Sequence, residues 1–291
     1  MSTDEPRTQR VPIPGGELFV RSVGATDAPD LVVLIHGGPG ISHRYMRGLE
    51  RLAGPRRQVV SYDQRGVGES PHASTDPDDY GLDAQAADLE AVIAASGDAA
   101  RVHLLGHSWG GVPAMDYAGR HPERVASLLL VDSCPPTIRD LEPGYGRFSA
   151  RVGELMGEGR IPAALPEDPT DQLRAIAAVY FADPDFTPSP EELAALEVFA
   201  TAGELTSMSL STLDLTDAVA RFEGPVLIVI GRQDPFGVDW ATATQRAFTR
   251  AQVRFEIVEE CGHLGWMECP ERLLPVLESF LDGVRPAERG R

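Results

Sequence analysis

A serine stands between two glycines in the run Gly-His-Ser-Trp-Gly, from Gly106 to Gly110. Residues 102–105 before it, Val-His-Leu-Leu, predict a strand, and residues 111–119 after it predict a helix. A serine on a sharp turn between a strand and a helix holds its hydroxyl above the end of a sheet, where it can attack a carbonyl carbon. We therefore predict that Ser108 is a nucleophile; an unreactive glycine–serine turn is the alternative.

A nucleophilic serine needs a general base, and two histidines follow Ser108 in the chain. His263 lies in a loop directly after the last predicted strand, and therefore at the same sheet edge as Ser108. His121 comes at the end of the helix that follows the serine, a position typical of a helix C terminus. The order of residues favours His263 as the base, and a loop histidine without a role is the alternative.

An acidic residue must orient this histidine, and in this kind of site it comes between the serine and the histidine in the chain. Residues 225–230, Pro-Val-Leu-Ile-Val-Ile, predict a strand, and Asp234 follows at its carboxyl end. Asp239 is a rival, but it stands where it could cap the next helix. We predict that Asp234 is the acid; an Asp-Pro turn without a catalytic role is the alternative.

Attack on a carbonyl also requires two backbone N–H groups that stabilise the oxyanion. One is expected from Trp109, which follows the nucleophile. Residues 31–35 predict a strand that leads into His-Gly-Gly-Pro-Gly, and we assign the second donor to Gly38 in that loop. A phosphate-binding loop is disfavoured because the segment lacks G-x-G-x-x-G and the chain has no lysine. A glycine turn that only reverses the chain is the alternative.

The chain of 291 residues contains no Lys and no Asn, so all 26 of its basic residues are Arg. Chemistry that depends on a lysine amine, such as Schiff-base formation, is therefore excluded. A formal net charge of −18 disfavours nucleic acid and anionic membranes as partners. The seven histidines show no zinc-binding spacing, so we expect no metal and no cofactor. A small molecule or a short peptide is the expected substrate, and nothing indicates the oligomeric state.

Polar residues make up the first ten positions, and no apolar run is long enough to cross a membrane. The three cysteines, Cys134, Cys261 and Cys269, are too few for a disulfide-rich domain, and we expect them to be small buried residues. A reducing, cytoplasmic location is the default expectation.

Short runs rich in Val, Ile and Leu alternate with helix-like stretches along the chain, which predicts an α/β fold with a doubly wound, mostly parallel sheet. The predicted strands are residues 18–20, 31–35, 58–62, 102–105, 127–131, 225–230 and 254–258. The predicted helices between them are residues 83–95, 111–119, 239–250 and 270–281.

One long segment, residues 135–216, has no strand-like run. It is helix-prone, most clearly at residues 171–181 and 191–205, and we predict a helical lid inserted between residues 1–134 and 217–291, which form the core. More than half of the negative charge, a net −10, falls between positions 142 and 217. This charge either favours cationic substrates or belongs to a solvated helical surface.

Taken in order, these motifs resemble those of the α/β-hydrolase superfamily, from about residue 11 to residue 281. The loop His-Gly-Gly-Pro-Gly, followed by Tyr-Asp-Gln-Arg-Gly-Val-Gly-Glu-Ser at residues 62–70, resembles the prolyl iminopeptidase branch. That branch often has Gly where this chain has His107, whereas a His before the serine is found in many esterases. In the second motif Asp63 and Arg65 are expected to shape the floor of the site rather than to act in catalysis.

The resemblance implies a serine peptidase that releases N-terminal proline and holds the substrate's free amine with glutamates of the lid. Glu197 and Glu204 are the glutamates available on one predicted lid helix, although a solvated helix face would explain them equally well. The same triad would also serve a biosynthetic esterase, an acyltransferase or cyclase, or a C–C bond hydrolase. A non-catalytic ligand-binding protein on the same scaffold is the alternative from a different class.

Overall fold

Eight strands form one sheet in the part of the chain that the computed structural model describes, residues 5–97 and 101–284. The order across the sheet is β1-β2-β4-β3-β5-β6-β7-β8; β1 and β2 run antiparallel to their neighbours and the rest are parallel. This confirms the predicted α/β class with a mostly parallel sheet. The strands are β1 (Arg7–Ile13), β2 (Gly16–Val23), β3 (Asp30–Ile35), β4 (Arg57–Tyr62), β5 (Val102–His107), β6 (Val125–Val131), β7 (Pro225–Gly231) and β8 (Gln252–Val258).

Both faces of the central strands are buried, which explains why their sequences are continuously apolar. On β3, Val33 belongs to the core on one face, and Val32 and Leu34 belong to the core on the other. A parallel strand covered on both faces has no solvent side on which polar residues would be tolerated. The central strands could therefore be located from the sequence.

Helices cover the two faces of the sheet separately. Helices α1 (Leu82–Ser96), α2 (Gly111–Arg120) and α8 (Val238–Ala247) contribute buried side chains to one core. The 3₁₀ helix His43–Leu52 and helix α10 (Pro270–Gly283) contribute to the other. The sheet is thus the middle layer of three, and the loops at the carboxyl ends of its parallel strands meet along one edge.

Strand β1 escaped prediction because its sequence, Arg-Thr-Gln-Arg-Val-Pro-Ile, is mostly polar and only Val11 is buried. It lies at the end of the sheet and pairs with β2 through a tight turn in which Gly15 has φ of +81°. An edge strand tolerates polar residues because one side faces water. Residues 1–4 and 285–291, at the ends of the predicted core, lie outside the described residues.

Five helices occupy the segment between β6 and β7: α3 (Ile138–Gly157), α4 (Pro169–Ala175), α5 (Pro190–Ala194), α6 (Ala200–Ser209) and α7 (Thr216–Val219). The single helix predicted over residues 191–205 was wrong, because it is interrupted between α5 and α6. There the backbone bonds to the loop after β3 instead: Phe199 N donates to Gly40 O (2.7 Å), and Ser42 N donates to Glu197 O (3.2 Å). The helix predicted over residues 171–181 likewise ends at Ala175, and a 3₁₀ turn, Ala177–Tyr180, follows it.

Two of the three cysteines are paired, which differs from the expectation of three buried thiols. Cys261 and Cys269 form a disulfide, and Cys134 is free and buried. The pairing depends on the short helix α9 (Gly265–Glu268), which turns the chain back so that the two Cα atoms lie 6.0 Å apart. In the described part of the chain, every helix is too short or too polar to cross a membrane.

Because His103 is buried on the central strand β5, we predict that the stability of the fold falls in mild acid. Burial lowers its pKa to about 4, and Arg57 and Arg101 add to the effect. Below pH 6.5 the unfolded chain therefore gains a proton that the folded protein takes up only near pH 4, so stability is lost as the pH falls through this range. At pH 5 the loss from one such histidine is about 2 kcal/mol.

We expect His103→Gln to keep a hydrogen-bonding contact with Ser127, which lies 2.8 Å from the imidazole Nδ1. Urea unfolding at pH 7 and pH 5 measures the outcome. The variant should lose about 1–2 kcal/mol less than the wild type between the two pH values. Equal losses in the two proteins would contradict the assignment of a neutral buried His103.

Candidate active site

Ser108 sits on a strained turn between β5 and α2. Its φ is +53°, in the left-handed region that residues with side chains rarely adopt, and a 3₁₀ turn, Ser108–Gly110, leads into the helix. Glycine is required on both sides. A Cβ at Gly106 would lie 2.5 Å from Gly110 O, and a Cβ at Gly110 would overlap the carbonyl oxygen of Ile35. The turn therefore has the geometry that exposes a nucleophile at the end of a strand.

The predicted base and acid are in direct contact. Nδ1 of His263 lies 2.6 Å from Oδ2 of Asp234, and both residues are almost completely buried. The rivals lie elsewhere: Asp239 pairs with Arg147 on the protein surface (3.0 Å), and the ring of His121 packs on Tyr117 at the end of α2. Of the candidates weighed from sequence, His263 and Asp234 are the two that the structure brings together.

Neighbouring groups hold the His263 ring in one orientation. Its backbone N donates to Tyr180 O (2.7 Å), and its ring centroid lies 5.0 Å from that of Phe236. Because a carboxylate can only accept, Nδ1 carries the proton that is donated to Asp234. Nε2 is then the free acceptor, which is the tautomer that general-base catalysis requires.

The glycine loop after β3 packs directly against the serine turn. A Cβ at Gly37 would lie 2.9 Å from Cβ of Ser108, so only glycine allows this approach. The N–H of Gly37 is already used, because it donates to the hydroxyl of Tyr45 (2.7 Å). Gly38, the next residue, lines the same cavity as Ser108. Its N–H therefore remains the predicted loop donor to an oxyanion, together with that of Trp109, which directly follows Ser108.

His107, beside Ser108, links this loop to the loop that carries His263. Its Nε2 lies 2.9 Å from His263 O, and its Nδ1 lies 2.7 Å from the hydroxyl of Tyr45. Burial and the neighbouring His263 hold the pKa of His107 well below its usual range, so the ring is neutral. Nε2–H then donates to the carbonyl, and Nδ1 accepts from Tyr45. The chain Gly37–Tyr45–His107–His263 thus fixes two halves of the site relative to each other.

A small cavity of about 70 Å³ opens at Ser108 and His263. Pockets for drug-sized ligands are roughly 300–1,000 Å³, so this one suits a small group. Its walls are mainly apolar, and inserted helices contribute part of them. The lining residues are Gly38, Ile41, Tyr45, His107, Ser108, Leu173, Tyr180, Leu196, Phe236, His263 and Leu264.

Neither of the two glutamates predicted to bind an amine lines this cavity. Glu197 is paired with Arg44 (2.9 Å), whose guanidinium also binds Glu69 (3.1 Å). Glu204 is exposed on α6 and faces a separate depression on the outer surface. Among the described residues around the cavity none is Asp or Glu, so a free amine bound there would have no carboxylate partner.

Asp63 and Arg65 act in the framework beneath the site. Oδ1 of Asp63 accepts from Ser42 Oγ (2.9 Å) and from the backbone N of His43 (2.9 Å), which ties the loop after β3 to the loop after β4. Burial alone would raise the pKa of Asp63, but the hydrogen bond and positive potential of His43 outweigh it and hold the pKa well below its usual range. Arg65 makes a buried bidentate pair with Asp88 (2.7 and 2.8 Å).

Asp132 completes a buried acidic cluster that sequence analysis missed. One oxygen each of Asp132 and Asp234 and one ring nitrogen of His263 lie within 4.8 Å of one another, close enough to surround a cation. Nδ1 of His263 already donates to Asp234, so two of the three groups bond to each other. A sequence signal could have pointed to Asp132: it directly follows the predicted strand 127–131, much as Asp234 follows the predicted strand 225–230. Tyr45, Tyr180 and Phe236 carried no comparable signal in the sequence.

Comparisons with known proteins agree with this architecture. The model of a family described as alpha/beta hydrolase fold matches residues 30–270. A proline iminopeptidase of Lactobacillus helveticus is 28% identical, with 94% of this chain and 97% of that protein aligned. The crystal structure of proline iminopeptidase from Mycobacterium smegmatis superimposes with a TM-score of 0.74 at 24% identity, over 95% of this chain and 98% of that one. An esterase from Rhodococcus sp. ECU1013 gives a TM-score of 0.68 at 26% identity, over 96% and 99%.

Because the hydroxyl of Tyr45 bonds to both Gly37 and His107, we predict that it holds these two parts of the site in place. Tyr45→Phe leaves two buried groups unpaired, the N–H of Gly37 and Nδ1 of His107. We expect this to cost about 1–3 kcal/mol in the free energy of unfolding and to lower kcat on an activated ester about 10-fold. Tyr62→Phe, at a buried tyrosine on β4, is the matched control and should change kcat less than about 2-fold. Equal kcat values for the two variants would contradict the role given to Tyr45.

Proposed function

The chain belongs to the α/β-hydrolase family, and from this we propose that it is a serine hydrolase that cleaves an ester or amide of a small, uncharged acyl group through an acyl-enzyme. One observation carries the proposal: Ser108 and His263 line the same small apolar cavity, and Asp234 lies directly behind His263. This arrangement supports Ser108 as nucleophile, His263 as base and Asp234 as orienting acid, the three roles that acyl transfer requires.

In the first half of the proposed reaction, Nε2 of His263 takes the proton of the Ser108 hydroxyl as its oxygen attacks the carbonyl carbon. Asp234 stabilises the imidazolium that forms, through the 2.6 Å contact with Nδ1. The backbone N–H groups of Gly38 and Trp109 bind the oxyanion. Collapse of the tetrahedral intermediate expels the alcohol or amine, which receives the proton from His263, and the acyl group remains on Ser108.

In the second half, His263 removes a proton from water as the water oxygen attacks the acyl carbon. The proton then returns to the serine oxygen, and the carboxylic acid leaves. The thiol of Cys134 lies beside Ser108 and stays protonated, because burial raises its pKa far above the usual range. Cys134 therefore supplies no competing nucleophile at neutral pH.

The choice of a small, uncharged acyl group rests on the walls of the cavity. Leu173 and Leu196 come from the inserted segment 135–216, and their apolar side chains close the cavity above Ser108. We propose on this basis that the segment is a lid and that residues 1–134 and 217–291 form the catalytic core. Burying an ammonium group in such a cavity without a partner is costly.

Loss of the serine hydroxyl is the direct test. Ser108→Ala should lower kcat/KM on p-nitrophenyl acetate by at least about 10³-fold, because the acyl-enzyme can no longer form. A fluorophosphonate reagent should label the wild type at Ser108 and leave the variant unlabelled. Ser70→Ala, at a buried serine in the loop after β4, is the control and should still be labelled. Labelling of Ser108→Ala would overturn the nucleophile assignment.

An aminopeptidase for N-terminal proline is the second candidate, and the relatives favour it. The protein from Lactobacillus helveticus is named proline iminopeptidase and aligns over nearly its full length. A pyrrolidine ring is small and apolar, as the cavity requires. Its amine would need a negative partner, for which Glu197 and Glu204 were the sequence candidates.

A substrate panel separates the two candidates. We compare p-nitrophenyl acetate, butyrate and decanoate with L-prolyl-p-nitroanilide, for the wild type, Glu197→Gln and Glu204→Gln. A small neutral acyl pocket predicts that kcat/KM is highest for acetate or butyrate, is at least about 10-fold lower for decanoate, and is unaffected by either substitution. Turnover of the prolyl anilide above that of the esters, lost on substitution of a glutamate, would instead establish the aminopeptidase.

A further inference from the structure

A second buried carboxyl group stands directly behind the Asp234–His263 pair. Asp132 follows β6, as Asp234 follows β7, and the two strands are neighbours in the sheet. Both residues are almost completely buried, with 3% and 6% of their surfaces exposed. The catalytic mechanism above leaves Asp132 without a function.

The backbone holds Asp132 firmly in this position. Its φ is +46°, in the left-handed region, and its N donates to Val229 O (2.9 Å). Oδ1 of its side chain accepts from the N of Gly231 (2.8 Å), at the end of β7. A strained backbone kept by several hydrogen bonds is typical of functional sites. The side chain is thereby aimed at Asp234.

Asp234 is held equally firmly. Its Oδ1 accepts from the N of Phe236 (2.7 Å), and its Oδ2 binds Nδ1 of His263 (2.6 Å). One oxygen of the Asp132 carboxyl group lies within 4.8 Å of an oxygen of this same group. Two ionised carboxylates this close in a buried site repel each other strongly, so one of them is expected to carry a proton. A protonated carboxyl group can donate a hydrogen bond to an ionised one, which can only accept.

The surroundings decide which carboxyl group is protonated. Asp234 has the imidazole of His263 as a partner, whereas Asp132 has burial and the charge of Asp234, both of which raise its pKa well above the usual range. The other titratable groups that face the pair are neutral: Cys134 after β6 and Tyr180 in the 3₁₀ turn, whose pKa values are raised by burial. Arg147 of α3 is bound to Asp239 and to Phe236 O.

We propose that Asp132 is a positioning residue of the triad: its protonated carboxyl group donates a hydrogen bond to Asp234, so that the pair presents one negative charge to His263. This proposal rests on the serine-hydrolase function above. Because the charge belongs to the pair, removal of the charge of Asp234 removes the repulsion that, together with burial, keeps Asp132 protonated. Asp132 then ionises and takes over part of the stabilisation of the His263 cation, which lies within 4.8 Å.

The first arm of the test varies the hydrogen bond. Asp132→Asn keeps a donor to Asp234, and we expect it to retain kcat on p-nitrophenyl acetate within about 5-fold. Asp132→Leu has a similar shape but neither donates to Asp234 nor accepts from the N of Gly231, and kcat should fall about 10- to 100-fold with KM changed less than 3-fold. Circular dichroism and thermal unfolding verify that each variant is folded. Equal kcat values for folded Asp132→Asn and Asp132→Leu would overturn the hydrogen-bonding role.

The second arm varies the shared charge and does not depend on the leucine variant. Asp234→Asn should lower kcat roughly 10²- to 10⁴-fold, and Asp234→Asn with Asp132→Asn should lower it at least about 10-fold further. In Asp234→Asn the remaining activity should fall with acid as Asp132 gains its proton, and this ionisation should be absent from the double variant. A double variant as active as Asp234→Asn, with the same pH profile, would overturn the proposal.

The outcomes also separate this inference from the proposed function. Hydrolysis that survives Ser108→Ala would refute the serine mechanism itself. Suppose instead that hydrolysis depends on Ser108, that Asp132→Asn and Asp132→Leu have equal kcat values, and that the double variant is as active as Asp234→Asn. Only the role of Asp132 would then be refuted.

Discussion

The turn at Ser108 is the constraint on which the rest of the structure depends. A residue with a side chain is held at φ of +53°, and this is possible only because glycines at 106 and 110 let the helix and β3 approach to backbone contact. Gly37 is required for the same reason, because a Cβ at this position would lie 2.9 Å from Cβ of Ser108. A serine held in this strained conformation requires a rigid surrounding sheet, and the buried parallel strands provide it.

Polar groups in the site are organised as relays rather than as single contacts. One relay runs from the loop after β3 through Tyr45 and His107 to the carbonyl of His263. The second, which we propose, runs from β6 through Asp132 and Asp234 to the ring of the same histidine. Buried polar groups are costly unless they are paired, so each relay has a definite geometry. His263 is held by its backbone through one relay and by its side chain through the other.

The surface near the candidate site is negatively charged, whereas the lining of its cavity is neutral. The segment between positions 142 and 217 carries a net charge of −10, yet the cavity that it helps to close is lined by apolar side chains and neutral rings. Glu197 of that segment, one of the two glutamates predicted from the sequence to bind an amine, is paired with Arg44. The net charge of the segment and the apolar lining of the cavity are thus separate properties. The lining is the one that would contact the proposed acyl group.

The sequence by itself determined the α/β class, the central strands, the serine turn and the order in which Ser108, Asp234 and His263 follow their strands. These features depend on local pattern: continuous apolar runs, glycines at a turn, and polar residues at strand ends. It did not determine β1, the break between α5 and α6, the pairing of Cys261 with Cys269, the partner of Glu197 or the contact of Asp132 with Asp234. Only the tertiary structure decided those, because each joins groups whose proximity is set by packing and strand order rather than by neighbouring residues.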